Sequence, residues 1–205
     1  MLAYVIVLII AYLIGSVSFS VIFSRKFAGF DVRDKGSNNA GTTNVLRTVG
    51  KKAAALTLIC DILKGVIAVL VAMLVGVICK EANMEILKYL AGLMAIVGHT
   101  FPIFFEFRGG KGVATSLGVL LTVDPKVGLI CLIFAIILIA ITRMVSVGSI
   151  LSAILFPILT MFIGSNKNFG TIIISILIAL FVIFNHRKNI QRIKDGTENK
   201  ISFNK

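Results

Sequence analysis

The sequence predicts an all-α integral membrane protein with about seven transmembrane helices, and three observations carry that prediction. Of its 205 residues 58% are hydrophobic, against roughly 45–50% in ordinary soluble domains, and the mean hydropathy is +1.01. The charges gather between Arg25 and Lys52 and between Arg187 and Lys205. The runs between those blocks are mostly long enough to cross a hydrocarbon core about 30 Å thick, which takes about 20 helical residues.

Seven candidate spans follow in order, at residues 2–24, 53–79, 86–105, 112–123, 127–142, 146–164 and 168–185. The first lacks a basic leading segment and a small-residue cleavage site, so a retained helix is expected rather than a signal peptide. The second carries Asp61 and Lys64 at helical spacing, which predicts that they pair or line a polar cavity. The fourth has only twelve residues between Gly112 and Val123, so it is tilted, sunken or re-entrant. The stretch 25–52 holds seven Lys/Arg and the tail 187–205 holds six. Basic segments favour the cytoplasmic side. Placing both there requires an even number of crossings between them, which the six later candidates provide. The amino terminus is then outside and the carboxyl terminus cytoplasmic. Four segments face the cytoplasm, 25–52, 98–111, 143–146 and 186–205. With no convincing internal repeat, residues 1–205 are expected to form a single domain.

The net charge of +12 belongs with cytoplasmic loops and anionic membrane lipids. No nucleic-acid-binding module is recognisable, so no nucleic-acid partner is expected. Cys60, Cys79 and Cys131 lie in or beside apolar runs, and an odd count without paired spacing argues against a disulfide framework. No Cys/His spacing suggests zinc; neither a metal nor another cofactor is expected.

The unusual residues concentrate in the cytoplasmic segments. GSNNAGTTN, residues 36–44, is followed by Arg47. Small residues and amides let a backbone curl and present N–H groups, hydroxyls add donors, and a guanidinium suits phosphate oxygens. A plain polar loop leading into a helix near Thr42 or Asn44 explains the same composition. Arg108-Gly109-Gly110-Lys111-Gly112 opens the fourth span. There glycines, a helix start and a full positive charge suit an anion, although Gly112 replaces the Ser or Thr of a Walker A loop. A flexible turn with a snorkelling lysine is the plainer account. Phe101, Phe104, Phe105 and Phe107 just before it read as an interface anchor or as the wall of an acyl-chain groove. At the end of the last span, His186, Asn189 and Arg192 share a helix face, while a histidine there is also a common helix cap. His99 reads as structural. Arg143, Ser146 and Ser149 add a cation and hydroxyls. The whole set fits a small, doubly charged anion such as a phosphate ester. A transporter of a phosphorylated metabolite would need similar groups, but places them near the bilayer midplane, often between repeated halves.

Three motifs in order, GSNNAGTTN with Arg47, GHTFPIFFEFRGGKGVAT at 98–115, and His186-x-x-Asn189-Ile190-x-Arg192 with Gly196-x-Glu198-x-Lys200, resemble the bacterial acyl-phosphate-dependent glycerol-3-phosphate acyltransferases of the PlsY type. The resemblance covers essentially the whole chain. Asn38 and Thr42 depart from it, where that family commonly has Gly and Ala. It implies a seven-helix membrane acyltransferase whose active site faces the cytoplasm of a bacterial plasma membrane. The substrates it implies are glycerol 3-phosphate and a long-chain acyl phosphate, and the product 1-acylglycerol 3-phosphate. Carried over by motif position, Ser37, Arg47, Lys111 and His186 would be catalytic. Asn39, Thr43, Asn44, Gly109, Gly110, Gly112, Ser146, Asn189 and Glu198 would contact substrate or support those contacts. Gly109–Gly112 would form the phosphate loop, and Glu198 would hold the tail. Whether His186 acts as a general base or only positions substrate is open at this point.

Overall fold

A computed structural model describes residues 2–80 and 83–201. Among them every regular element is helical. Each of the seven apolar runs forms helix, with ends shifted by a few residues. The first is broken: α1 (Leu2–Gly15) and α2 (Phe19–Ala28) flank a short gap. After α3 (Thr42–Thr48) come α4 (Lys51–Ile78), α5 (Met84–Thr100), α6 (Val113–Val123), α7 (Pro125–Thr142), α8 (Val145–Ile163), α9 (Phe169–Asn185) and α10 (Arg187–Lys194).

Five helical stretches are long and apolar enough to cross a bilayer: Leu2–Ala28, Lys51–Ile78, Met84–Phe105, Pro125–Thr142 and Val145–Ile163. A sixth is reached if α9 and α10, bent by 58° at His186, count as one span. The fourth expected span is α6, with 11 residues. At 1.5 Å per residue it reaches about 16 Å, roughly half the hydrocarbon thickness. The membrane class therefore holds with five or six full-length spans and one short helix.

The chain divides into two compact units, Met1–Val123 and Asp124–Lys205. In the first, α4 packs on α6, α1 on α5, and α5 on both α4 and α6. Close approach depends on small residues. A Cβ on Gly65 would strike the Thr115 carbonyl of α6, and one on Gly118 the Ile62 carbonyl of α4. Gly15 lies as tightly on Ala95, and Gly98 on Tyr12. Such contacts suit helices in lipid, where backbone approach and packing replace the hydrophobic drive of water. Val7, Ala11, Ala68, Ala72, Leu87, Ala91 and Ala95 form the buried centre of this bundle. Leu70, Leu74 and Val77 point outward from α4. Asp61 and Lys64 pair at 3.0 Å as their spacing predicts. Lys64 also donates to the Val17 carbonyl in the gap between α1 and α2 at 2.7 Å, so the break in the first span is held by a buried cation.

In the second unit α7 packs on α8, α8 on α9, and α10 on α9. Asp124 caps α7, accepting from Val127 N–H at 3.2 Å, and its other oxygen accepts from Ser165 N–H at 2.6 Å. That carboxylate ties the start of α7 to the turn after α8. Ile133, Ile136, Leu180 and Phe184 face outward, as lipid-facing positions do.

Candidate active site

The loop from α2 into α3 is built around buried polar groups. Asn44, 2% exposed, accepts from Ser37 N–H at 3.0 Å through Oδ1. Its Nδ2 donates to the carbonyls of Val32, Lys35 and Asn39 at 2.9–3.1 Å. This one amide closes the whole GSNNAG turn. Gly36 has φ +60°, and a Cβ there would run into the Asn44 amide oxygen and, at 2.9 Å, into Thr48. Asn44 therefore acts on the loop backbone. Ser37 and Arg47 are left exposed, and Asn39 and Thr43 half-buried, on the surface that the loop presents. Upstream, Asp31 and Arg33 form a paired turn. Arg33 donates its backbone N–H and Nε to Oδ1, and its Nη2 to Oδ2, at 2.9–3.0 Å. Arg25 adds a further ion pair at 2.9 Å. Burial works against the Asp31 charge, yet the hydrogen bonds from Arg33 and Arg25 outweigh it and hold the carboxyl at about 2.

The glycine-lysine loop folds back on the end of α5. Gly109 N–H donates to the Thr100 carbonyl, and Gly110 N–H to the His99 carbonyl, both at 3.1 Å. These two amides are thus engaged with helix carbonyls. A Cβ at Gly109 would strike the His99 carbonyl. At Gly110 it would meet the His99 ring, and the Ala40 carbonyl of the first loop at 2.6 Å. Gly112 has φ +83° and lies against Ile96. The glycines therefore permit close backbone packing, and Lys111 and the first turn of α6 follow them, with Ser116 N–H bonded to the Gly112 carbonyl at 2.7 Å. His99, expected to be structural, is buried beneath the loop with Nδ1 3.3 Å from Thr115 Oγ1 and 3.6 Å from Asp61. Of the aromatic string, Phe101, Phe104 and Phe107 are exposed, while Phe105 packs on the core beneath the first loop. Within this unit the first two motifs are neighbours, joined by Gly110 on Ala40 and by Arg33 Nη1 donating to the Phe105 carbonyl at 2.6 Å.

In the second unit, Glu198 is the hub. Its Oε1 accepts from Ser146 Oγ at 2.8 Å and Asn189 Nδ2 at 2.7 Å. Its Oε2 accepts from Arg192 Nε at 2.8 Å. Burial disfavours the charge, but these three partners hold the carboxyl below its ordinary value. The start of α8, α10 and the tail are thereby locked together, and Ile201 N–H to the Arg143 carbonyl at 2.8 Å extends the lock. His186, 2% exposed at the bend between α9 and α10, has Nδ1 2.7 Å from the Val182 carbonyl. A carbonyl only accepts, so Nδ1 carries a proton and donates it there.

Four buried side-chain atoms find no hydrogen-bond partner among the described residues: Thr42 Oγ1, Asp61 Oδ1, Ser116 Oγ and Asn189 Oδ1; of these, Asp61 Oδ1 is ion-paired with Lys64 at 3.0 Å. Ser116, one turn past Lys111, was not singled out from the sequence, nor were Asp31 and Arg33. The D-x-R spacing ahead of the Ser/Asn run is the one local sign of the latter pair. Asn189 offers its buried amide oxygen as an acceptor suited to a hydroxyl.

The profile of the family described as glycerol-3-phosphate acyltransferase matches residues 5–196. A protein of Clostridioides difficile (strain 630) named glycerol-3-phosphate acyltransferase is 45% identical over 203 residues, covering 97% of this chain and 96% of that one. The crystal structure of PlsY, an integral membrane glycerol 3-phosphate acyltransferase, in its glycerol 3-phosphate form has a TM-score of 0.87 at 34% identity, over 97% of this chain and 96% of that chain. Its lysophosphatidic acid form gives 0.84 at 32%, over 97% and 95%. With sequence and fold matched along nearly their whole lengths, this chain belongs to the glycerol-3-phosphate acyltransferase family.

Proposed function

We propose that the protein transfers a long-chain acyl group from acyl phosphate to the 1-hydroxyl of sn-glycerol 3-phosphate, giving 1-acylglycerol 3-phosphate and inorganic phosphate. The hydroxyl oxygen attacks the acyl carbonyl carbon. The bond from that carbon to the phosphate oxygen breaks, and the hydroxyl proton leaves on phosphate. An acyl phosphate already carries a good leaving group, so holding two anions in register supplies much of the rate. The observation that carries this reading is the glycine-lysine loop braced on α5, with Lys111 and the α6 start following it beside the Ser37–Arg47 loop.

Lys111, the first turn of α6 and Arg47 hold phosphate oxygens and steady the oxyanion. Ser37, Asn39 and Thr43 line the first loop, which Asn44 shapes. Gly109, Gly110 and Gly112 set the path of the second. Asn189 Oδ1 receives a glycerol hydroxyl, and His186 orients the 1-hydroxyl through Nε2. Ser146 and Glu198 keep Asn189 in place. The site faces the cytoplasm of a bacterial plasma membrane, with the amino terminus outside; the two basic blocks at 25–52 and 187–205 support that orientation. Membrane lipids surround the outward aliphatic faces.

The test uses purified protein in lipid, with labelled glycerol 3-phosphate and either acyl phosphate or acyl-CoA. Labelled lysophosphatidate formed with acyl phosphate and not with acyl-CoA is expected. Uptake of label into liposomes without a new lipid would instead establish a transporter.

A further inference from the structure

We propose that Arg33, held by Asp31, is a positioning residue that clamps the Phe105–Arg108 turn and so sets the geometry of the Gly109–Gly112 loop for glycerol 3-phosphate. The proposal rests on the phosphate-loop reading above.

The turn before the loop has an unfavourable backbone. Glu106 and Phe107, neither of them glycine, take φ of +58° and +57° in succession. Side-chain-bearing residues avoid that region because Cβ crowds the carbonyl. Such a conformation persists where its surroundings over-determine it. Part of the restraint is local: Phe105 and Phe107 N–H both donate to the Pro102 carbonyl, at 3.1 and 3.0 Å. The rest comes from Arg33, 72 residues away in sequence. Its Nη1 reaches the Phe105 carbonyl at 2.6 Å and lies 3.5 Å from the Arg108 carbonyl. The guanidinium thus brackets the strained pair, touching the residue on either side.

Arg33 can do this because Asp31 holds its other edge at both carboxylate oxygens. The side chain is 5% exposed, and its fork is occupied by Asp31 and the two carbonyls. It therefore acts through the turn and does not itself meet substrate. Glu106 adds little, since its carboxylate lies 3.9 Å from Nη1 and is 72% exposed. Lysine would not substitute. A single ammonium cannot serve a carboxylate edge-on and two carbonyls beyond it with fixed planar geometry. Directly after the clamped turn, Gly109 and Gly110 dock on α5. A shift of the turn therefore moves Lys111 and the α6 start relative to Ser37 and Arg47.

Arg33→Lys and Asp31→Asn, each in the full-length chain purified in lipid, test the clamp. Both should raise KM for glycerol 3-phosphate about tenfold, while KM for acyl phosphate stays within about threefold. Asp31→Asn keeps the side chain's size and an acceptor oxygen, and decides the matter if Arg33→Lys does not reach the membrane. An unchanged KM for glycerol 3-phosphate overturns the clamp. So does a parallel loss for both substrates, which marks a merely structural role. Lys111→Ala separates the two levels: a raised KM there, with normal KM in the clamp variants, sinks the clamp alone. Normal KM in all three variants sinks the phosphate-loop reading with it.

Discussion

The ammonium of Lys111 and the guanidinium of Arg47 are the charges proposed to meet substrate phosphate. Removing one charge-assisted hydrogen bond costs about 1.5–3 kcal/mol, or about 10- to 100-fold in rate constant. Lys111→Ala and Arg47→Ala should each lower kcat/KM for glycerol 3-phosphate by that factor while the protein stays in the membrane, as steady-state kinetics on purified variants would read. Turnover near normal in both would contradict the assignment. Residue types were legible in the sequence; the job each does was less so. Asn44 and Ser37 look alike as polar loop members, yet Asn44 is enclosed by three carbonyls and an N–H, while Ser37 is exposed. Likewise Gly109 and Gly110 suggest bare amides, but their N–H groups close on α5. An amide's partner lies far along the chain or across a turn, and composition carries no record of it.

Among elements, the tail lock makes a pH-dependent prediction. The Glu198 carboxyl lies below its ordinary value of 4.5 in the folded protein. A depressed carboxyl contributes stability above its unfolded value and loses it as pH falls through the folded one. The tail after α10 should therefore resist limited proteolysis at neutral pH and become cleavable only in acid, below that ordinary value. Glu198→Gln should be cleavable at neutral pH, because Arg192 loses its ionic partner. Resistance of Glu198→Gln equal to that of the unaltered protein would remove the hub. Helix positions themselves were read well from hydropathy, since apolar runs between charged loops leave little choice. The shortness of α6 was legible too, with twelve residues expected and 11 found, but the packing that accommodates it was not. Gly65 and Gly118 let α6 press its backbone against α4, so a helix too short to span still has a partner that covers it. The break at residues 16–18 was also invisible to hydropathy; a buried lysine on a different helix holds it.

For the molecule as a whole, the distribution of charge determines the expected orientation. With both basic blocks on one side, as proposed, the GSNNAG loop, the glycine-lysine loop and the His186 bend would all face the cytoplasm. Single cysteines at positions 111 and 186, in a background lacking Cys60, Cys79 and Cys131, should both react with a membrane-impermeant thiol reagent applied from the cytoplasmic side. Reaction of the two from opposite sides would break the proposal. The chemistry demands this arrangement, because a water-soluble phosphate ester and an acyl donor anchored in lipid can meet only at the interface. The most direct measurement is the stoichiometry of product in proteoliposomes supplied with acyl phosphate and glycerol 3-phosphate. One inorganic phosphate released for each 1-acylglycerol 3-phosphate formed is the expected result. Phosphate release without acylated product, or acylated product without phosphate release, would contradict it.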